Sequence, residues 1–175
     1  MSNELRTEID AWIDANWDPD LPVREWWQRL SVSGYSNPGL PEPFGKGWGR
    51  AETRVLAAAL RENGCIGSPA GLGMMLAAPT ILAHGNESQI EKYVPQILDG
   101  TDSWCQLFSE PGAGSDLAGL QTKAVRDGDE WVISGQKVWT SEGQHADYGM
   151  LIARTDPDAS KHRGISWFAF PMDQQ

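Results

Sequence analysis

The feature that most constrains this chain is a change of hydrophobic period near Gly100. Before it, apolar residues recur at helical spacing; after it they alternate, and β-branched and aromatic residues become frequent. Neither pattern buries itself alone, so each half needs its own packing solution. The expected class is α+β, an amino-terminal α-helical bundle over residues 1–100 followed by an incomplete antiparallel β-domain over residues 101–175.

In the first half, Leu5, Ile9, Trp12 and Ile13 form one apolar stripe, with Ser2 placed to cap and Glu4 and Glu8 near the helix start. A second stripe, Val23, Trp26, Trp27 and Leu30, follows Pro22 and is expected to end at Gly34. Residues 36–49 are crowded with Pro and Gly and predict an ordered loop. Helical spacing returns at Val55, Leu56, Ala59 and Leu60, with Asn63 and Gly64 suited to a left-handed cap. A more apolar helix, buried on several sides, is predicted from about Ala70 to His84, with a kink or interruption at Pro79. After Gly85, an amphipathic stretch from Glu87 to Leu98 closes the bundle.

In the second half, Thr122 to Arg126 and Glu130 to Ser134 flank Asp127-Gly128-Asp129, a strong hairpin signal. Further strands are expected over Trp104 to Ser109, Gln136 to Ser141, Tyr148 to Arg154 and Gly164 to Phe170. The last residues follow a strand directly, so the domain reads as unfinished, with an open sheet edge.

Composition removes several function classes. The chain has 14 basic and 24 acidic residues, a net charge of -10, without a Lys/Arg block, which argues against a nucleic-acid surface. Cys65 and Cys105 are far apart and lack metal-ligand spacing, so reduced, buried thiols are expected and no metal site. The start is polar and acidic, and no apolar run is long enough to span a bilayer; a soluble, cytoplasmic protein is expected.

The segment richest in chemistry is Gln106-Leu-Phe-Ser-Glu-Pro-Gly-Ala-Gly-Ser-Asp116. Gly112 and Gly114 let backbone N–H groups approach a phosphate or ring carbonyl, Ser115 adds a donor, and Ser109 can bond a ring nitrogen or oxygen. Standing alone, such a segment is first of all a tight turn, with Asp116 closing an Asx-turn or capping a helix. It is followed by Gly135-Gln-Lys-Val-Trp139-Thr-Ser141, which offers an indole face and two hydroxyls. Elsewhere His84, His145 and His162 suit helix-end or turn positions, Glu110 suits a structural hydrogen-bonding role, and Lys161-His-Arg163 suits a solvated turn or a phosphate contact.

These two motifs, in this order around an Asp-Gly hairpin, resemble the acyl-CoA dehydrogenase family. His84-Gly-Asn-Glu-Ser-Gln89 and Tyr93-Val-Pro-Gln-Ile-Leu-Asp-Gly100 resemble the helix that precedes them there. The resemblance implies an N-terminal helical domain and a middle β-domain, with FAD as cofactor and acyl-CoA as substrate. It places Gln106, Leu107, Phe108, Ser109, Gly112, Gly114 and Ser115 along the flavin ring and pyrophosphate, with Ser115 also near the acyl-CoA. Trp139 would cover one flavin face, and Thr140 and Ser141 would approach its N5 edge. Many members carry Thr at the positions of Ser109 and Ser141 and an aromatic residue at that of Gln106; the hydroxyls are kept, and Gln106 retains hydrogen-bonding capacity.

The implied reaction is α,β-dehydrogenation of an acyl-CoA thioester, with hydride passing to FAD, as in lipid metabolism and fatty acid β-oxidation. The family's catalytic Glu comes from a C-terminal domain, and no residue here matches it. The expectation is therefore a truncated oxidoreductase, inactive alone, in a homo- or hetero-oligomer with dehydrogenase subunits and passing electrons to electron-transfer flavoprotein or a similar acceptor. The alternative is a non-catalytic binding or assembly subunit partnering a fuller chain. Donors at the pyrimidine and N5 edges would stabilise the electron-rich reduced flavin.

Overall fold

The computed structural model describes residues 2–173, with the side chain of Ser2 outside the described residues, so the expected Ser2 cap is outside them too. The chain divides into two compact units, Met1–Asp102 and Ser103–Gln175.

The first unit is helical. Helices α1 (Ser2–Asn16), α2 (Val23–Val32) and α3 (Arg50–Glu62) bury Ile9, Ile13, Trp26, Leu30, Leu56, Ala59 and Leu60 in one core with Tyr35. Trp12, Trp17, Trp27 and Trp48 pack against it, Trp17 meeting Trp26 edge-on at 4.8 Å between centroids. The indole N–H groups of the buried Trp26 and the half-buried Trp27 donate to the carbonyls of Ile66 (2.6 Å) and Gly67 (2.8 Å), so neither donor is orphaned. As the stripes imply, α2 ends at Gly34 and α3 at Gly64, both at positive φ (75° and 69°). Residues 36–49 are irregular and held by backbone bonds such as Gly45 N–H to the Pro41 carbonyl (3.0 Å).

The segment around Pro79 differs from its expected form. A π-helical turn, Gly73–Ala77, leads into α4 (Ala78–His84). Pro79 has no N–H to bond the preceding turn, and its ring crowds the carbonyl four residues back; a widened turn relieves both. Burial is also narrower than expected. Met74, Ala77, Ala78 and Ile81 are buried, but Met75 and Leu76 are exposed in the unit. Helix α5 (Glu87–Leu98) starts with a capping box: Asn86 Oδ1 accepts the Gln89 N–H, and Gln89 Oε1 accepts the Asn86 N–H, both at 2.9 Å.

The second unit is built on strands β1 (Trp104–Leu107), β2 (Lys123–Asp127), β3 (Glu130–Ser134), β4 (Tyr148–Arg154) and β5 (Ile165–Pro171). The expected antiparallel pairing holds for the hairpin β2/β3 and for β4/β5, with Tyr148 opposite Pro171 and Arg154 opposite Ile165. The sheet as a whole is mixed, because β1 runs parallel to the first four residues of β4, and β2 meets β4 in parallel at Lys123 and Arg154. β4 reads as an almost unbroken apolar run because both sheet faces are covered there. Leu151 faces Cys105, Leu107 and Phe168, while Ile152 faces Ala113, Leu120 and Trp167. Gly128 turns the hairpin at φ 61°.

Residues 136–141 do not form the expected strand. Trp139 and Glu142 both take φ of 61°, a left-handed conformation incompatible with a β ladder, and a turn follows over residues 141–145. β1 likewise stops at Leu107, because Glu110 folds back on Ala113 through two mutual backbone bonds (2.8 and 3.1 Å). Cys105 is buried as expected, whereas Cys65 is only partly so; burial raises the pKa of both thiols. No helix among the described residues is long and apolar enough to cross a membrane.

Candidate functional site

The loop joining β1 to β2 and the segment after β3 meet in the second unit. The Val138 N–H donates to the Ser109 carbonyl (2.9 Å), and Lys137 Nζ donates to the Phe108 carbonyl (3.0 Å) and to Glu110 Oε1 (2.9 Å). Glu110 also accepts the N–H groups of Gln121 (2.6 Å) and Thr122 (2.9 Å). Burial by itself would raise the Glu110 pKa. The Gln121 N–H, the Lys137 ammonium and the Thr122 N–H, which all bond the carboxylate, outweigh it and lower the pKa to about 2. Glu110 is thus a fixed, ionised structural acceptor, in keeping with the role its sequence position implies.

The sequence-predicted residues fall into three settings. Ser109 lies next to the segment that carries Trp139, whose indole is 90% exposed on a left-handed backbone; Thr140 and Ser141 follow it. Gly112, Gly114 and Ser115 are exposed, and a Cβ added at either glycine would meet open space. Among the described residues, the N–H groups of Gly112, Gly114 and Ser115 meet no acceptor. Ser115 also joins Asp116, Ile152, His162, Ser166 and Trp167 around a cavity of about 450 Å³. By contrast Leu107 lies in the core with Cys105 and Leu151, and Phe108 packs on Ala113, Leu120 and Ile152. Gln106 is a half-buried β1 residue opposite Met150.

Two partners were not legible in the motifs. Lys137, between Gln136 and Val138, is not among the expected site residues, although a lone Lys in an apolar, glycine-bounded segment is a signal for a buried partner. Asp116 pairs with Lys161 (2.8 Å), which places the basic turn at the cavity rim, with His162 in its wall.

The chain combines a helical unit with a mixed-sheet unit that carries a glycine loop and an exposed Trp. Residues 1–101 match the family model for the acyl-CoA dehydrogenase N-terminal domain, and residues 105–175 match that for the middle domain; the chain belongs to the acyl-CoA dehydrogenase family. It is similar to acyl-CoA dehydrogenase FadE34 of Mycobacterium tuberculosis (strain ATCC 25618 / H37Rv), 48% identical over 156 residues that cover 87% of this chain and 21% of that protein. Acyl-CoA dehydrogenase IpdE1 of the same strain is 41% identical, over 86% of this chain and 40% of that protein. Among solved structures, the ChsE4–ChsE5 complex from Mycobacterium tuberculosis has a TM-score of 0.71 at 35% identity, covering 98% of this chain and 46% of that chain. The Tcur3481–Tcur3483 steroid ACAD likewise has a TM-score of 0.71, at 36% identity, covering 98% of this chain and 48% of that one. The chain thus spans from a fifth to a half of the length of these relatives.

Proposed function

We propose that these residues form the helical and β parts of an acyl-CoA dehydrogenase flavin site, acting in α,β-dehydrogenation of an acyl-CoA thioester. The observation that carries this is Trp139. A large apolar side chain left 90% exposed gains nothing from burial in the free chain, its positive φ adds backbone strain, and such outliers cluster at ligand sites. The neighbouring groups fit FAD. The open N–H groups at Gly112, Gly114 and Ser115 suit a pyrophosphate, and the Ser109, Thr140 and Ser141 hydroxyls suit the edges of a flavin ring.

When bound, FAD supplies a two-electron hydride acceptor. Trp139 would cover one ring face and exclude water there, while the hydroxyls hold the ring edge in register. Ser115, in the cavity wall, would hold the thioester substrate. No residue of this chain matches the family's base, so the proton from the α-carbon must pass to a carboxylate on another domain or chain. A partner dehydrogenase subunit and an electron-transfer flavoprotein as acceptor complete the proposal; ChsE4–ChsE5 is itself a complex of two named chains. The same observation favours a second reading, in which this chain is an assembly subunit contributing contacts and no turnover.

Titration of FAD into the chain, followed by Trp fluorescence, tests the site. Quenching should occur at high FAD concentration, weaken strongly in Trp139→Phe and persist in Trp12→Phe. Absence of quenching, or equal effects of both changes, sinks the flavin site. Adding acyl-CoA thioesters, steroid side-chain thioesters included, with an artificial acceptor should give no turnover by the chain alone; turnover restored by a partner subunit separates the catalytic reading from the assembly reading.

A further inference from the structure

Among the described residues, Glu110 and Lys137 form the ion pair whose two side chains are both more than nine-tenths buried, at 5% and 7% exposure. A buried pair of this kind is weak grounds for stability, since well-packed apolar side chains commonly do as well. Its geometry does something an apolar pair cannot. Lys137 reaches across to residues on both sides of Ser109, bonding the Phe108 carbonyl at 3.0 Å and the Glu110 carboxylate at 2.9 Å. The next residue, Val138, bonds the Ser109 carbonyl itself (2.9 Å). Three consecutive residues of one motif are therefore tied to two consecutive residues of the other, and Trp139 is the first residue beyond the tie.

The backbone at Trp139 is left-handed, and no β ladder holds residues 135–140. Something else must fix the indole relative to Ser109. We propose that Lys137, anchored on Glu110, is a positioning residue: a buried clamp that sets the Trp139 indole and the Ser109 hydroxyl in register for the flavin ring. This rests on the flavin site proposed above. The ammonium suits the task because a compact cation with three donors can satisfy a carboxylate and a carbonyl together, and the low-dielectric surroundings strengthen both bonds.

The test uses the double variant Glu110→Gln, Lys137→Met, which removes both charges and so avoids leaving one buried and unpaired. In the ligand-free chain, amide exchange at Val138 should quicken about tenfold or more, the loss expected for one or two charge-assisted bonds, with Met150 in β4 unchanged. Half-saturation of Trp139 quenching should need about tenfold more FAD. Unchanged Val138 exchange and unchanged quenching in the double variant overturn the clamp. Should that variant fail to fold, the single variant Lys137→Gln decides, its Glu110 carboxylate still held by the Gln121 and Thr122 N–H groups: faster Val138 exchange than in the wild type upholds the clamp, and unchanged exchange overturns it. No quenching in the wild type overturns the flavin reading and the clamp's purpose with it; normal wild-type quenching with an unmoved double variant overturns the clamp alone.

Discussion

Gly135 lies so close to Thr122 that a Cβ built on it would overlap Thr122 Oγ1 and stand 2.7 Å from the Thr122 Cα. Backbone cannot yield as a flexible side chain does, so Gly135→Ala is expected to destabilise the second unit by about 2–3 kcal/mol, read as a lowered urea midpoint. A midpoint unchanged from wild type would mean that the two segments are not packed this closely.

Gly114 is the opposite case. A Cβ there meets nothing within 4 Å, so Gly114→Ala should leave the urea midpoint of the free chain within about 0.5 kcal/mol of wild type. If its N–H serves a pyrophosphate, the same change should weaken FAD quenching about tenfold through a methyl placed where the ligand approaches. Equal FAD titrations for Gly114→Ala and wild type would remove the glycine loop from the site.

Trp139→Gly should stabilise the free chain by about 1 kcal/mol, since glycine accepts the left-handed backbone that Trp139 holds at φ 61°. It should also abolish FAD-dependent quenching. Such opposite movements of stability and binding mark a strained binding residue, whereas a loss of stability would assign Trp139 to packing.

The Glu110 carboxylate has a pKa of about 2 when folded, against an ordinary 4.5. The unfolded chain therefore binds more protons between those values, and stability rises with pH across that window. The contribution, about 3 kcal/mol at most, is fully present above pH 5.5 or so and is lost as pH falls through about 2. Denaturation of wild type and Glu110→Gln compared from pH 6 to pH 2 should show their stability difference shrinking toward acid. A constant difference would show that Glu110 is not held this way.

Asn86→Ala should cost about 1 kcal/mol in the helical unit, because it removes the acceptor at 2.9 Å for the first turn of α5. Asn86→Asp should retain most of the stability, an effect that thermal melts can separate.

Helix stripes such as Ile9 and Ile13, and glycine stops such as Gly34 and Gly64, depend on neighbours a few residues away and were legible in the sequence. The hairpin at Gly128 and the two motifs that imply the family were legible for the same reason. Period alone could not tell that β1 lies parallel to β4, because alternation records which face a side chain takes and not which strand lies beside it. The π turn before Pro79, the left-handed turn at Trp139 and the narrower burial around Met75 depend on how backbone sterics and packing are resolved together. The Glu110–Lys137 pair is of this second kind. Its residues are 27 positions apart, and only the folding of the second unit brings them to 2.9 Å. Sequence determined which groups are available to a ligand; the tertiary structure decided which of them share one place, because long-range contacts exist only after the intervening chain has closed.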